Sequence, residues 1–250
     1  MKKVTIIGSG NVAQHLLKAI LHSSELHLQQ ILVRKIESVE NLIDPTKIII
    51  NYGDLLESDL YIIAVSDSAI REVSLNLPFS NRLVAHTSGT MPLDSMSEKN
   101  RRAVFYPLQT FSKTKSVDFK KVPLCLEAEN LNDLEELKAL GSFISNNVNL
   151  INSQQRKSLH VAAVFVSNFA NHLYTIGEEI CKENNISFEI LKPLIKETAE
   201  KIFYLDPKHA QTGPAIRGDQ NTIDAHLNFL KNSEYNKIYK LLTESIQHDR

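Results

Sequence analysis

The chain has 250 residues, enough for one large domain or two smaller ones, and 42% of them are hydrophobic, enough to form substantial cores. A formal net charge of −1 gives no electrostatic reason to expect binding to nucleic acid or to a membrane surface. The apolar runs are too short for a membrane span or a signal peptide, and the two cysteines are far apart. We therefore expect a cytoplasmic protein with reduced thiols and no metal site.

A glycine-containing turn follows the first predicted strand, residues 4–7, and opens a helix with apolar residues at helical spacing. The turn consists of Gly8, Ser9, Gly10, Asn11, Val12 and Ala13. In dinucleotide-binding folds the first glycine makes the tight turn, the second lets a pyrophosphate approach, and a small third residue lets helix and strand pack closely. The free N–H groups of the helix then face the phosphates. The alternative is an ordinary strand–helix turn with small residues.

The residues after the second predicted strand, 28–33, indicate which dinucleotide is bound. An NAD-preferring fold usually ends this strand with an acidic residue that binds the ribose 2′-hydroxyl. Here Arg34 and Lys35 come next, and the first acidic residue is Glu37. Because two cations suit a 2′-phosphate, we predict NADP(H) rather than NAD(H) as cofactor. The alternative is that both cations are solvated loop residues.

Short apolar runs continue to alternate with helical patterns through the first half of the chain. Further strands are predicted at residues 48–50, 60–65, 82–86, 103–106 and 123–126, then a helix over 133–146 and a last strand at 148–151. This pattern is typical of an α/β fold, a doubly wound and mostly parallel Rossmann-type sheet covered on both faces.

The pattern becomes entirely helical after residue 153. A long helix comes first, with apolar residues every three or four positions, followed by helical stretches at 187–204, 222–231 and 234–246. We therefore predict a cofactor-binding Rossmann domain over residues 1–152 and an all-helical domain over residues 153–250.

Polar segments follow three of the predicted strands, where an open parallel sheet forms its ligand crevice. The segment after the fourth strand is expected beside the cofactor and contains Val65, Ser66 and Asp67. His86 is a candidate acid or base, and Ser88 and Gln109 are candidate substrate contacts. The alternative for His86 and Ser88 is a turn whose hydroxyl groups satisfy the backbone.

The long predicted helix places three polar residues, His160, Asn168 and Asn171, on one stripe at ~100° per residue. We take His160 and Asn168 as candidate catalytic residues, His160 as a proton donor because imidazole titrates near neutral pH. The alternative is a solvated helix face or a structural hydrogen bond.

The segment over residues 213–219 contains a single arginine, together with two glycines, a proline and an aspartate, which are residues typical of turns. Arg217 can bind a substrate carboxylate in bidentate fashion, or it can pair with Asp219. Asp219 or Asn221 can cap the helix that begins near Thr222.

Four segments, residues 6–13, 85–89, 106–111 and 213–219, carry a resemblance to a known group. The chain resembles the 6-phosphogluconate dehydrogenase-like reductase superfamily and, more narrowly, the Rossmann-like plus DUF2520 proteins, which are candidate NADP oxidoreductases. The resemblance implies an N-terminal NADP-binding domain, a helical C-terminal domain over residues 153–250 for substrate binding and dimerisation, and a homodimer built through the helices. It supplies no substrate.

One position departs from the hydroxyacid dehydrogenases of that superfamily. They carry a catalytic lysine four residues before an asparagine on the first long helix. The matching asparagine here is Asn168, and the lysine position is Val164. The proton transfer of that group is thus unsupported, and His160, His86 or water must take its place.

From these residues we predict an NADP(H)-dependent oxidoreductase. It would transfer hydride to or from a small anionic carbonyl or imine substrate in a cleft between the two domains. The alternative, favoured by Val164, is an NADP(H)-binding sensor or interaction protein without turnover. A variant of the enzyme hypothesis exchanges hydride with a deazaflavin.

Overall fold

The computed structural model describes residues 1–112 and 115–248, in two compact units, Met1–Asn168 and Phe169–Arg250. The first unit holds the sheet, and the described part of the second is built from helices and turns. The assignment of residues 1–152 to the cofactor and 153–250 to substrate and dimerisation stays a prediction.

Within the described residues, eight strands form one sheet in the order β3-β2-β1-β4-β5-β6-β7-β8. Neighbouring strands are parallel except for β6 and β7, which are antiparallel. This is the strand order of a doubly wound dinucleotide-binding sheet extended at one edge, so the predicted fold class is confirmed. The strands are β1 (Lys2–Ile7), β2 (Leu26–Leu32), β3 (Ile48–Ile49), β4 (Leu60–Ile63), β5 (Leu83–His86), β6 (Arg101–Pro107), β7 (Leu124–Ala128) and β8 (Val148–Leu150).

The α-helices of the first unit are α1 (Asn11–Leu21), α2 (Ile70–Leu75), α3 (Leu131–Ser142) and α4 (Ser153–Ala163), and α4 is followed by a π-helix, Val164–Phe169. Those of the second unit are α5 (Ala170–Glu183), α6 (Lys192–Lys201), α7 (Pro207–Ala210), α8 (Pro214–Arg217), α9 (Gln220–Phe229) and α10 (Tyr235–His248).

Helices cover both faces of the sheet, which explains the buried apolar runs in strands such as β1 and β4. Ile6 packs in the core that contains Leu16 and Leu17 of α1, whereas its neighbour Ile7 packs in the core that contains Ile70 of α2. Successive side chains of a strand point to opposite faces, so both faces must be apolar. Because β1, β2, β4 and β5 are neighbouring parallel strands, their carboxyl ends lie side by side at one edge of the sheet.

The segment after β8 differs from the predicted uninterrupted α-helix. The stripe of His160, Asn168 and Asn171 assumes α-helical rotation through Val164–Phe169, which forms a π-helix instead. The predicted alignment of these three residues is therefore wrong, because the i→i+5 hydrogen bonds of a π-helix change the rotation per residue. No helix in residues 1–112 or 115–248 has both the length and the apolar character that a membrane crossing requires.

Candidate functional site

A cavity of about 520 Å³ lies at the carboxyl ends of β1, β2, β4 and β5. Its wall brings together most of the residues predicted to bind the cofactor, namely Gly8, Ser9, Gly10, Asn11, Val12, Arg34, Val65 and Ser66. Ile50, Tyr52 and Val73 add apolar surface, and Thr87 lines it beyond β5. This mixture of apolar walls and a few polar groups is typical of a nucleotide pocket.

The two glycines of the turn have different physical roles. Gly8 has a φ of +123°, and a β carbon there would lie 2.2 Å from the carbonyl oxygen of Ala64, so only glycine fits. Gly10 is the N-cap of α1, and a β carbon there would meet no described atom within 4 Å. The space beside Gly10 therefore remains open to a ligand.

The N-terminus of α1 is an anion-binding feature of the same wall. Among the described residues no side chain caps this terminus, and its first turn carries no acidic residue. The Asn11 side chain donates instead to the carbonyl of Phe111, at 3.0 Å. The first backbone N–H groups are thus left for a ligand, and a pyrophosphate fits this end of the helix.

The two predicted cations differ in position. Arg34 follows β2 and lines the cavity, with its side chain exposed. Lys35 lies outside the cavity wall, and its carbonyl accepts a hydrogen bond from the Ser38 hydroxyl at 2.6 Å. Of the two predicted cations, Arg34 is therefore the one that lines the cavity.

The turn after β5 is built around His86, whose ring is fully buried. Nδ1 of His86 accepts a hydrogen bond from the N–H of Ser88 at 3.1 Å, and Nε2 has no hydrogen-bond partner among the described residues. Burial, more than the nearby charge of Arg156, lowers the pKa of His86 to about 4. His86 is therefore neutral at pH 7 and shapes the turn.

The side chains of Ser88 and Asp67 also form hydrogen bonds with this turn. The Ser88 hydroxyl accepts hydrogen bonds from the N–H groups of Thr90 and Met91, at 3.1 and 3.0 Å. The Thr90 hydroxyl donates to Asp67, which joins this turn to the end of β4. Asp67 itself is exposed and does not line the cavity.

His160 lies against the same turn. Its Nδ1 is 3.1 Å from the hydroxyl oxygen of Tyr106, at the end of β6, and the two rings meet edge to face. A β carbon on Gly89 would lie 2.5 Å from Nδ1 of His160 and 2.9 Å from the Tyr106 ring. Burial, as the largest cause, raises the pKa of Tyr106 to about 12, so its hydroxyl stays protonated at neutral pH.

A buried ion pair fixes α4 in this position. Arg156, one helical turn before His160, is 1% exposed and pairs with Glu127 of β7. It also donates to the carbonyl of Met91 at 2.6 Å, and Glu127 accepts from the N–H and hydroxyl of Ser153. The sequence reasoning missed Tyr106, Glu127 and Arg156; the spacing of Arg156 and His160, four residues on one helix, was the available signal.

The remaining predicted residues are not brought into this group by any described contact. Asn168 is exposed on the π-helix, and the Gln109 amide oxygen accepts from the neighbouring N–H of Thr110. Arg217 is the exposed last residue of α8. The predicted Asp219 cap of α9 is confirmed, and hydrogen bonds from Thr222, with a smaller effect of Arg217, lower the pKa of Asp219.

Comparison with known proteins decides the family. Residues 122–246 match the family Domain of unknown function (DUF2520), and a candidate NADP oxidoreductase from Bacteroides fragilis is 39% identical, with 99% of this chain and 98% of that chain covered and a TM-score of 0.89. The chain belongs to the DUF2520 family. The predicted resemblance is thereby confirmed. No curated protein matches this DUF2520 chain by sequence.

More distant structures share the fold of this DUF2520 protein. A Thermotoga maritima protein is 20% identical over 98% of this chain and 97% of that chain, with a TM-score of 0.76. A reductive aminase from Aspergillus terreus, in complex with NADPH and ethyl levulinate, is 14% identical over 99% of this chain and 93% of that chain, with a TM-score of 0.70.

Proposed function

We propose that this DUF2520 protein is an NADP(H)-dependent oxidoreductase that acts on a small carbonyl or imine compound. The observation that carries the proposal lies within the first unit. The cavity at the Gly8–Val12 turn and the His160–Tyr106 pair both border the turn after β5. Thr87 of that turn lines the cavity, and Gly89 of the same turn contacts His160. The candidate NADP oxidoreductase from Bacteroides fragilis and the NADPH-bound reductive aminase support the choice of cofactor and reaction class.

Different residues of the first unit would bind different parts of the cofactor. The open side of Gly10 and the free N–H groups of α1 would hold the pyrophosphate, and Arg34 would pair with the 2′-phosphate. When bound, the nicotinamide supplies or accepts the hydride.

His160 then exchanges the proton that accompanies reduction. Its imidazolium would donate to the substrate oxygen or nitrogen atom, and neutral His160 would recover the proton in the opposite direction. His86 is less suited to this role, because its ring is fully buried and its pKa is lowered to about 4. An anionic substrate bound by Arg217 stays a prediction.

Calorimetric titration with NADPH and NADH tests the cofactor site. We expect wild-type protein to prefer NADPH, and R34Q to lose about tenfold or more of that preference, as expected for a lost hydrogen bond to a charged group. K35Q is the matched control, because Lys35 lies outside the cavity wall. Binding of neither cofactor by the wild-type protein would end the proposal.

Turnover is tested by following NADPH absorbance with a panel of keto acids and cyclic imines, and H160Q should reduce any rate about a hundredfold. A non-turnover sensor is the second candidate, and it is favoured by Val164 at the position of the related catalytic lysine. NADPH binding without turnover across the panel, together with a changed oligomer or partner, would support the sensor.

We also propose that two copies associate through the helical unit. Several large apolar side chains of this unit are more than half exposed, namely Ile190, Leu194, Phe203, Tyr204, Phe229 and Leu241. Light scattering after gel filtration tests the association, with L194K expected to shift the protein towards monomer.

A further inference from the structure

We infer that Tyr106 is a positioning residue for His160: its hydroxyl holds Nδ1, so that Nε2 is the ring atom that exchanges a proton with the substrate. The inference rests on the proposed function for the identity of that substrate, but the Tyr106–His160 pairing stands on geometry within the first unit.

A hydrogen bond and a close packing contact fix the pair. Tyr106 is 9% exposed at the end of a central strand, and its hydroxyl oxygen is 3.1 Å from Nδ1 of His160. Gly89 packs against both rings so closely that a β carbon would overlap each of them. The imidazole therefore has little freedom to turn Nδ1 away from Tyr106.

A hydroxyl suits both protonation states of the ring. Tyrosine can accept from a protonated Nδ1 and can donate to an unprotonated one. When the imidazolium gives up its Nε2 proton, the N–H bond breaks, an O–H or N–H bond forms on the substrate, and neutral His160 keeps its Nδ1 proton bonded to Tyr106. In the reverse direction the lone pair of Nε2 takes the proton back.

The surroundings of the pair keep the Tyr106 hydroxyl from ionising. The raised pKa of Tyr106 keeps the phenol neutral at working pH. Among the described residues, the groups whose charges act on Tyr106 are Asp67 after β4, Cys125 of β7 and Arg156 on α4, and Arg156 is paired with Glu127 of β7.

Y106F tests the inference, because it removes the hydroxyl and keeps the ring that packs on Gly89. The control is Y239F, since the Tyr239 hydroxyl lies 2.7 Å from Nδ1 of His226 in the second unit and forms a chemically matched pair. We would record ¹⁵N spectra of histidine-labelled protein across pH, with H160Q to assign the His160 signals, and then kcat and KM for any substrate found.

We expect Y106F to shift the Nδ1 resonance of His160, to change the pH profile of kcat, and to lower kcat about tenfold or more while KM and NADPH affinity change little. Y239F should shift only the His226 signals. Unchanged His160 signals in folded Y106F would overturn the inference. Should Y106F fail to fold, the wild-type spectrum still decides, because Nδ1 must show a hydrogen-bonded shift at both ends of the titration.

Failure of the proposed function has a different signature. Wild-type protein that binds no NADPH would remove the reaction, while the histidine spectra of Y106F would still report on the pair. NADPH binding and turnover that Y106F leaves unaltered would keep the function and remove the inference.

Discussion

Gly89 and His160 are in such close contact that any larger residue at position 89 must displace the imidazole. An ideal β carbon on Gly89 would lie 2.5 Å from Nδ1 and 2.9 Å from Cγ of His160. The turn after β5 thus sets the position of a side chain on α4, which lies far from it in sequence.

We therefore expect G89A to lose activity and some stability. The added methyl group should cost about 1–3 kcal/mol by overpacking and move His160 away from Tyr106. Urea denaturation and turnover check this, with G53A as control, because a β carbon on Gly53 would meet no described atom within 4 Å. Wild-type activity in G89A would contradict the role given to His160.

The two glycines of the first turn should separate folding from cofactor binding. G8A places a methyl group 2.2 Å from the Ala64 carbonyl at a φ of +123°, so we expect a loss of about 2 kcal/mol or more in stability. G10A clashes with no described atom but fills the space left for a phosphate, so NADPH affinity should fall about tenfold or more, while Tm should fall much less than in G8A.

Calorimetry and thermal unfolding of both variants measure this difference. If G10A binds NADPH as tightly as the wild type, the pyrophosphate does not bind beside Gly10.

His86 should make the protein sensitive to acid. The unfolded side chain binds its proton near pH 6.5, whereas the folded one does so near pH 4, because burial disfavours its charge. The unfolded state therefore holds more protons between these values. Stability contributed by neutral His86 is complete above about pH 6.5 and declines as the pH falls to about 4, by on the order of 3 kcal/mol.

Urea denaturation at several pH values checks this dependence. H86N supplies an oxygen in place of Nδ1 to accept from Ser88 but cannot titrate, so its stability should fall less between pH 6.5 and 4. H22N, at an exposed histidine, should retain the wild-type slope. An H86N slope equal to that of the wild type would assign the acid sensitivity to other groups.

The fold was predictable from sequence because its signals are local. Apolar runs such as residues 60–65 need no partner to be recognised, and the Gly8 turn follows from the backbone conformation it requires. That the residues after these strands line one cavity could also be predicted, because the carboxyl ends of parallel strands meet at one edge of the sheet.

The His160–Tyr106 pair was only partly predictable. His160 stood out as a titratable residue on a long helix, but its partner Tyr106 lies 54 positions away on a strand that reads as ordinary core. The Val164–Phe169 π-helix also has no clear sequence signal, and it undid the angular argument for Asn168. Such pairings depend on tertiary packing, which periodicity alone does not report.

The Arg156–Glu127 pair should be among the most sensitive contacts in the first unit. Arg156 is 1% exposed, and R156M would leave Glu127 without its cation and remove the link to the Met91 carbonyl, so we expect a loss of about 3–5 kcal/mol. The control is R82M, because Arg82 pairs with Glu57 at the surface, where the side chains are 41% and 71% exposed, and its loss should cost less than about 1 kcal/mol. Denaturant titration of both variants gives the comparison. Equal losses in the two variants would mean that burial adds nothing to this pair.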